Sequence, residues 1–348
     1  MILIDTVYIN QSGGKVLINY LIKSLHSLES KFANLFFLFD ERFESDQLSL
    51  IPIEKFLKIK NSERERIKFY RAYKEKLDKI FCFGNIPPPI HINDIDTYIY
   101  FHNSLYLFKS KSNHGFKSQI IIGLKKKYIQ FINHPKYIWI VQTEYIKQNF
   151  ISKMNAKAPN VLVLPFFEVN SSVNSATNNR NELNKFVYVA DGSPQKNHLI
   201  LLKAWKILFY KFNKALELHL TIHEKNSEII VEIEKLKNKG LKIFNHGECS
   251  LTEINNLYNE CGNLVFPSLN ESFGLPLIEA AYSNCNIIAS NLPFVFEIVA
   301  PSATFNPYDE NDIAQCIYNF SVSETKKTEI IVQNKIGELI NLITTNAN

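Results

Sequence analysis

Residues 266–280 read FPSLNESFGLPLIEA and compress a strand end, a glycine-containing bend and a helix start into one short stretch. The apolar run NLVFPS has the length and composition of a buried strand, and PLIEAAY begins a helix. Gly274 permits a tight backbone between them, and Pro276 suits the first helical position, where a missing N–H costs nothing. Glu271 is then placed just after a strand end and Glu279 near the first turn of the helix. A helix start offers free N–H groups and a positive dipole end, both suited to phosphate. Carboxylates beside a phosphate repel it, so the partners expected for Glu271 and Glu279 are neutral hydroxyls. A ligand carrying phosphate and hydroxyls together has the composition of a nucleotide-sugar.

The same strand, turn and helix alternation extends in both directions. ILIDTVYI, LFFLF, KIFCF, TYIYF, YIWIV and VLVLP precede an Asn- and Ser-rich stretch, VNSSVNSATNNRNEL, that carries no apolar period. KFVYVA, LELHLTI, LKIFNH, NLVFPS and NIIAS follow it, with helix-like segments between them. Two doubly wound α/β domains fit this pattern better than one large sheet. The expected division is an N-terminal domain at 1–170, a linker at 171–183 and a C-terminal domain with its terminal helices at 184–348. Such domains bind ligands beyond the carboxyl ends of their strands, and two of them facing each other form a cleft.

At 348 residues, with 46% hydrophobic and 21% charged side chains, the chain has the makeup of a folded globular protein. The first residues, MILIDTVYINQSGG, carry no basic region ahead of their apolar run and do not resemble a secretory leader. No apolar stretch approaches the roughly 18–20 residues needed to span a bilayer. Five cysteines without metal-type spacing point to buried thiols in a reducing compartment, so the expected location is cytoplasmic. Residues 1–170 hold 24 Lys and Arg against 15 Asp and Glu, whereas the remainder holds 15 against 19. The basic half is expected to meet anionic surfaces. Within it, GFKSQIIIGLKKKYIQFI combines an apolar period with Lys125, Lys126 and Lys127, which fits a solvated helix face or a peripheral contact with an anionic membrane. No nucleic-acid motif accompanies the charge.

FPSLNESFGLPLIEA resembles the donor-site signature of family-4 retaining glycosyltransferases of GT-B fold, including members that build bacterial surface polysaccharides and lipopolysaccharide. The resemblance implies that Glu279 holds the donor ribose, that Glu271 approaches the transferred sugar, and that Ser272, Phe273, Gly274 and Leu275 line the donor site. SGGKVLINYLIKSL is similar to the family's first glycine-rich turn, implying that Gly13 and Gly14 bring backbone N–H groups to the donor. YVADGSPQKNHLILLKAW resembles the turn opening the family's second domain; Gly192 belongs to this loop, and Lys196 would neutralise the donor diphosphate. The family's Arg ahead of that Lys is missing. His102, at the end of TYIYFHN, matches a histidine near the reacting sugar, while Thr143 in VQTEY is expected to be a helix cap.

The implied activity moves a sugar from a nucleotide-diphosphate sugar to a hydroxyl of a glycan or lipid-linked glycan, with retention. No cofactor and no metal are expected, since the glycine turn, Lys196 and the helix ends can stabilise the leaving diphosphate. Two alternatives stay open: a nucleotide-sugar epimerase of similar fold, and a non-catalytic nucleotide-sugar or glycan-binding subunit.

Overall fold

A computed structural model of the chain describes residues 1–28, 32–108, 116–154, 156–157, 160–169, 184–323 and 326–345. It contains two compact units, and the linker expected at 171–183 lies outside the described residues.

The first unit is built on a parallel sheet of seven strands: β1 (Ile2–Asp5), β2 (Leu35–Asp40), β3 (Phe56–Ile59), β4 (Lys79–Cys82), β5 (Asp96–Tyr100), β6 (Ile138–Val141) and β7 (Val161–Val163). Their order is β3-β2-β1-β4-β5-β6-β7, so the winding reverses between β1 and β4. The helices are α1 (Ser12–His26), α2 (Glu63–Tyr73), α3 (Phe116–Ile132) and α4 (Glu144–Met154). Strands covered on both faces carry no polar alternation, which is why Ile2–Asp5 and Lys79–Cys82 are buried throughout. Thr143 caps α4 as expected, accepting from the Ile146 N–H at 3.2 Å.

The second unit repeats the plan with β8 (Lys185–Tyr188), β9 (Glu217–Leu220), β10 (Ile243–Asn245), β11 (Asn263–Phe266), β12 (Asn286–Ser290) and β14 (Ala303–Phe305), in the order β10-β9-β8-β11-β12-β14. A separate antiparallel pair joins β13 (Val299–Ala300) to β15 (Glu329–Ile330). Its helices are α5 (His198–Tyr210), α6 (Ser227–Lys237), α7 (Leu251–Cys261), α8 (Leu275–Tyr282) and α9 (Glu310–Val322). A reciprocal capping box between Ser250 and Glu253 starts α7. Here the winding reverses between β8 and β11.

One expected boundary is corrected. The terminal helix α10 (Ile336–Thr344) belongs to the first unit, which takes in Gln333–Asn348. The Lys335 N–H donates to the Pro165 carbonyl at 2.8 Å, and Asn334 Nδ2 donates to the Phe167 carbonyl and the Tyr20 hydroxyl. The buried Lys79 Nζ donates to the carbonyls of Leu342 and Thr345, satisfying oxygens that the end of a helix leaves open. Leu339 and Ile343 are fully buried.

This attachment makes Ile343→Ala a probe of the first unit. A cavity there should cost about 2–5 kcal/mol. Denaturant unfolding followed through Trp139, in a Trp205→Phe background, should shift to lower midpoint. An unchanged Trp139 transition would place the helix elsewhere.

Candidate functional site

In the second unit, the turns after β8 and β11 flank the reversal of winding, the place where open α/β sheets bind ligands. After β11 the chain passes through the buried Ser268 to Gly274, whose φ of 89° is open to glycine and strained for other residues. Helix α8 then starts at Leu275, so Pro276 occupies its second position, not its first. The consequence for the helix is the same, because the opening N–H groups have no intrahelical acceptor. Phe273 is 3% exposed and packs inward, so its ring does not line the turn as expected from the family resemblance, while Ser272 and Leu275 are half-buried.

Glu271 accepts Lys196 Nζ at 2.8 and 3.0 Å on its two oxygens, and the Ser268 hydroxyl at 2.5 Å. Tyr188, at the end of β8, places its hydroxyl 3.0 Å from Ser268 Oγ and donates to the Lys196 carbonyl at 2.8 Å. Asn197, with φ 63°, caps α5 and donates through Nδ2 to the carbonyls of Pro267 and Pro307. The Leu269 N–H donates to the Gln195 carbonyl at 2.8 Å. These bonds stitch the two turns together. A cation at a helix start is unfavourable by itself, and Glu271 offsets that cost. An ammonium carries three donors, so Lys196 can keep Glu271 and still offer an N–H to a phosphate oxygen.

Glu279 lies a turn further along α8 and accepts the buried Tyr258 hydroxyl at 3.1 Å. Burial raises its carboxyl above the ordinary carboxylate range, with the Tyr258 hydrogen bond acting in the opposite direction. Its second oxygen has no partner among the described residues and is free to accept from a hydroxyl. The structure thus joins Glu271 to Lys196 and gives Glu279 a separate environment. Gly192 has a packing role: a Cβ there would lie 2.2 Å from Asn226 Cγ. Asp191 accepts the Ser193 N–H at 2.8 Å, and this short turn occupies the loop in which the family's Arg is missing.

In the first unit, Gly13 and Gly14 lie in the first turn of α1, whose start has no side-chain cap. A Cβ on Gly14 would come within 3.2 Å of His102 Cε1, so glycine here lets the imidazole sit against the helix start. The His102 N–H donates to Asn85 Oδ1 at 2.6 Å, and its Nε2 lies 3.1 Å from both Asn85 Nδ2 and the Phe83 carbonyl. Nε2 is occupied in either tautomer, leaving Nδ1 for a ligand. Burial pulls the imidazole down to about 4, so it is neutral near pH 7.

Three groups were missed at the level of sequence. Asn85, buried with φ 65°, orients His102, and its signal was the Gly-Asn pair in CFGNIPPP. Tyr8, with φ 84°, donates to Glu63, while Arg66 pairs with Asp5 at 2.8 Å, which also accepts from Tyr70. This buried network pins the turn leading to Gly13. His198 is buried against Tyr188, and neither of its ring nitrogens has a partner among the described residues.

Residues 172–336 match the family model described as glycosyl transferases group 1. The matched residues lie mostly in the second unit. The group 1 match agrees with the resemblance carried by FPSLNESFGLPLIEA. The chain is 33% identical over 138 residues to the O-antigen chain mannosyltransferase RfbU of Salmonella typhimurium, covering 39% of this chain and 38% of that protein. It is 29% identical over 124 residues to the serotype-specific mannosyltransferase WbdA of Escherichia coli, covering 34% of this chain and 15% of that protein. The chain therefore spans less than half the length of these curated relatives. Anabaena HepE, solved in complex with UDP and glucose, has a similar fold, with a TM-score of 0.65 and 16% identity over 99% of this chain and 96% of that one. The two Rossmann-like units are those of a GT-B fold.

His102 and His198, the latter held near 3 by burial, set an acid limit. Unfolded histidine protonates near 6.5, so protons favour the unfolded chain below that pH. Their stabilising contribution is complete above about 6.5 and declines as the pH falls toward 4. Thermal midpoints measured across this range should fall, and His198→Phe should flatten the decline.

Proposed function

We propose that the chain is a retaining glycosyltransferase that moves a hexose from a nucleotide-diphosphate sugar to a hydroxyl of a glycan or lipid-linked glycan in bacterial surface polysaccharide synthesis. The observation that carries this reading is the Lys196–Glu271 pair beside the start of α8, within the residues that match the group 1 glycosyl transferase model. The names of RfbU and WbdA favour mannose as the transferred sugar and O-antigen as the product class.

Each group then has a task. The free N–H of Lys196 and the opening amides of α8 take the diphosphate and stabilise it as it leaves. Glu279 accepts a ribose hydroxyl through its unpartnered oxygen, and Glu271 meets the sugar at the edge of the ion pair. In the first unit, Gly13 and Gly14 leave amides accessible, and neutral His102 accepts a sugar hydroxyl at Nδ1. The positive charge that faces the leaving diphosphate comes from Lys196 and the amides, and the proposal includes no metal ion.

A thermal-shift screen of nucleotide-sugars tests donor binding, because a ligand of the folded state raises its midpoint by mass action. With the donor found, Lys196→Ala should weaken binding about 10–100-fold, and Glu279→Ala about tenfold. Wild-type affinity and transfer rate in both variants would refute the site. Conversion of donor without acceptor would indicate an epimerase, and donor binding without turnover across an acceptor panel would indicate a binding subunit.

A further inference from the structure

Among the described residues, the buried carboxylates of Asp5 and Asp40 pair with Arg66 and Arg42, and Glu271 pairs with Lys196. Glu279 has no such cation. Its carboxyl is raised by burial, and the group that opposes this is a neutral hydroxyl, that of Tyr258, 3.1 Å from Oε2. One neutral donor is slight support for a charge withdrawn from water. Glu279 is also the fifth residue of α8, beyond the first turn where the positive helix end acts most strongly.

Tyr258 is fixed from behind. Helix α7 ends at Cys261, and the Tyr258 carbonyl accepts the Gly262 N–H at 3.0 Å and Cys285 Sγ at 3.2 Å. Its ring is fully buried. Burial, then the Glu279 charge and Cys285, push the phenol well above its ordinary range, so it stays protonated and remains a donor. A phenol carries one proton, so Tyr258 holds Oε2 and leaves Oε1 its full acceptor capacity. The same bond restricts the last torsion of the glutamate, which is otherwise broad.

We propose that Tyr258 is a positioning residue for Glu279: reaching from α7, it fixes Oε2 and keeps the carboxylate ionised, so that Oε1 is set to accept a ribose hydroxyl of the nucleotide. The inference rests on the donor-site reading above and adds to it a residue that does not touch the ligand. A packing role alone is met at lower cost elsewhere in this unit, where the buried Tyr188 and Trp205 donate to the backbone carbonyls of Lys196 and Leu216. A carboxylate is a costly partner for a buried hydroxyl unless its second oxygen has a use.

The test uses the full chain and two probes, GDP and UDP, titrated calorimetrically between about pH 5.5 and 8.5. Tyr258→Phe keeps the ring and removes the hydroxyl. It should weaken whichever probe binds about tenfold at the acid end, with the gap narrowing as the pH rises. Without the hydrogen bond the pKa of the Glu279 carboxyl rises further, so a proton blocks it over a wider acid range, whereas well above both pKa values it is ionised in either protein and only its orientation differs. His102 and His198 stay neutral over this range, and ionisation of the probe cancels in the ratio of affinities. In a Glu279→Gln background, Tyr258→Phe should change affinity by less than about twofold and without a pH trend, a pattern that damaged packing would not reproduce. Parallel pH curves for the wild type and Tyr258→Phe, or an undiminished effect in the Glu279→Gln background, would overturn the inference and leave Glu279 in the donor site. Binding of neither probe, or wild-type affinity in Glu279→Ala, would overturn it together with the donor-site reading.

Discussion

Parallel strands cannot be joined by tight hairpins; each return requires a crossover, so every strand-to-helix turn of a parallel sheet emerges along the same edge. Where the winding reverses, neighbouring turns diverge and leave backbone amides uncovered. The rest of the molecule follows from having two such sheets. Glycine 14, Asn85 and the Asp5 network lie around the β1/β4 reversal, and Lys196 and Glu271 around β8/β11. The remaining feature is electrostatic: bare helix starts attract anions, and each unit places groups there that tune the attraction.

The two units tune it differently. In the second, a lysine and a glutamate from separate turns neutralise one another while keeping polar capacity for a ligand. In the first, a neutral imidazole and two glycines keep the helix start open, and the charged groups are drawn back into a buried cluster. Breaking a buried pair such as Asp5–Arg66 from one side is costly because the other charge remains in the protein interior. That cluster holds the turn before α1 in place, which makes Arg66 a positioning residue for a helix start it does not touch.

Much of the architecture was legible in the sequence because buried parallel strands and amphipathic helices leave local signatures. NLVFPS, the bend at Gly274 and the helix after it each announce themselves within a few residues. The family resemblance supplied residue roles that periodicity does not contain. What escaped detection was nonlocal. Lys196 and Glu271 are 75 residues apart, and Asp5 and Arg66 are 61 apart, so no window of sequence contains either pair. The antiparallel β13 and β15 have two residues each, too few for a period to register. Phe273 read as a ligand contact because its neighbours form the turn, whereas the direction of its ring depends on packing.

The return of α10 to the first unit also has a consequence for biosynthesis. The second unit is an insertion, so its strands leave the ribosome before the final piece of the first unit has been made. Lys79 and the site that buries Ile343 must wait for more than 250 residues of chain to follow them. At about 5–20 residues per second this is on the order of tens of seconds. The seven strands of the first sheet are made by residue 163, yet α10 reaches them only after the strands of the second unit have been made.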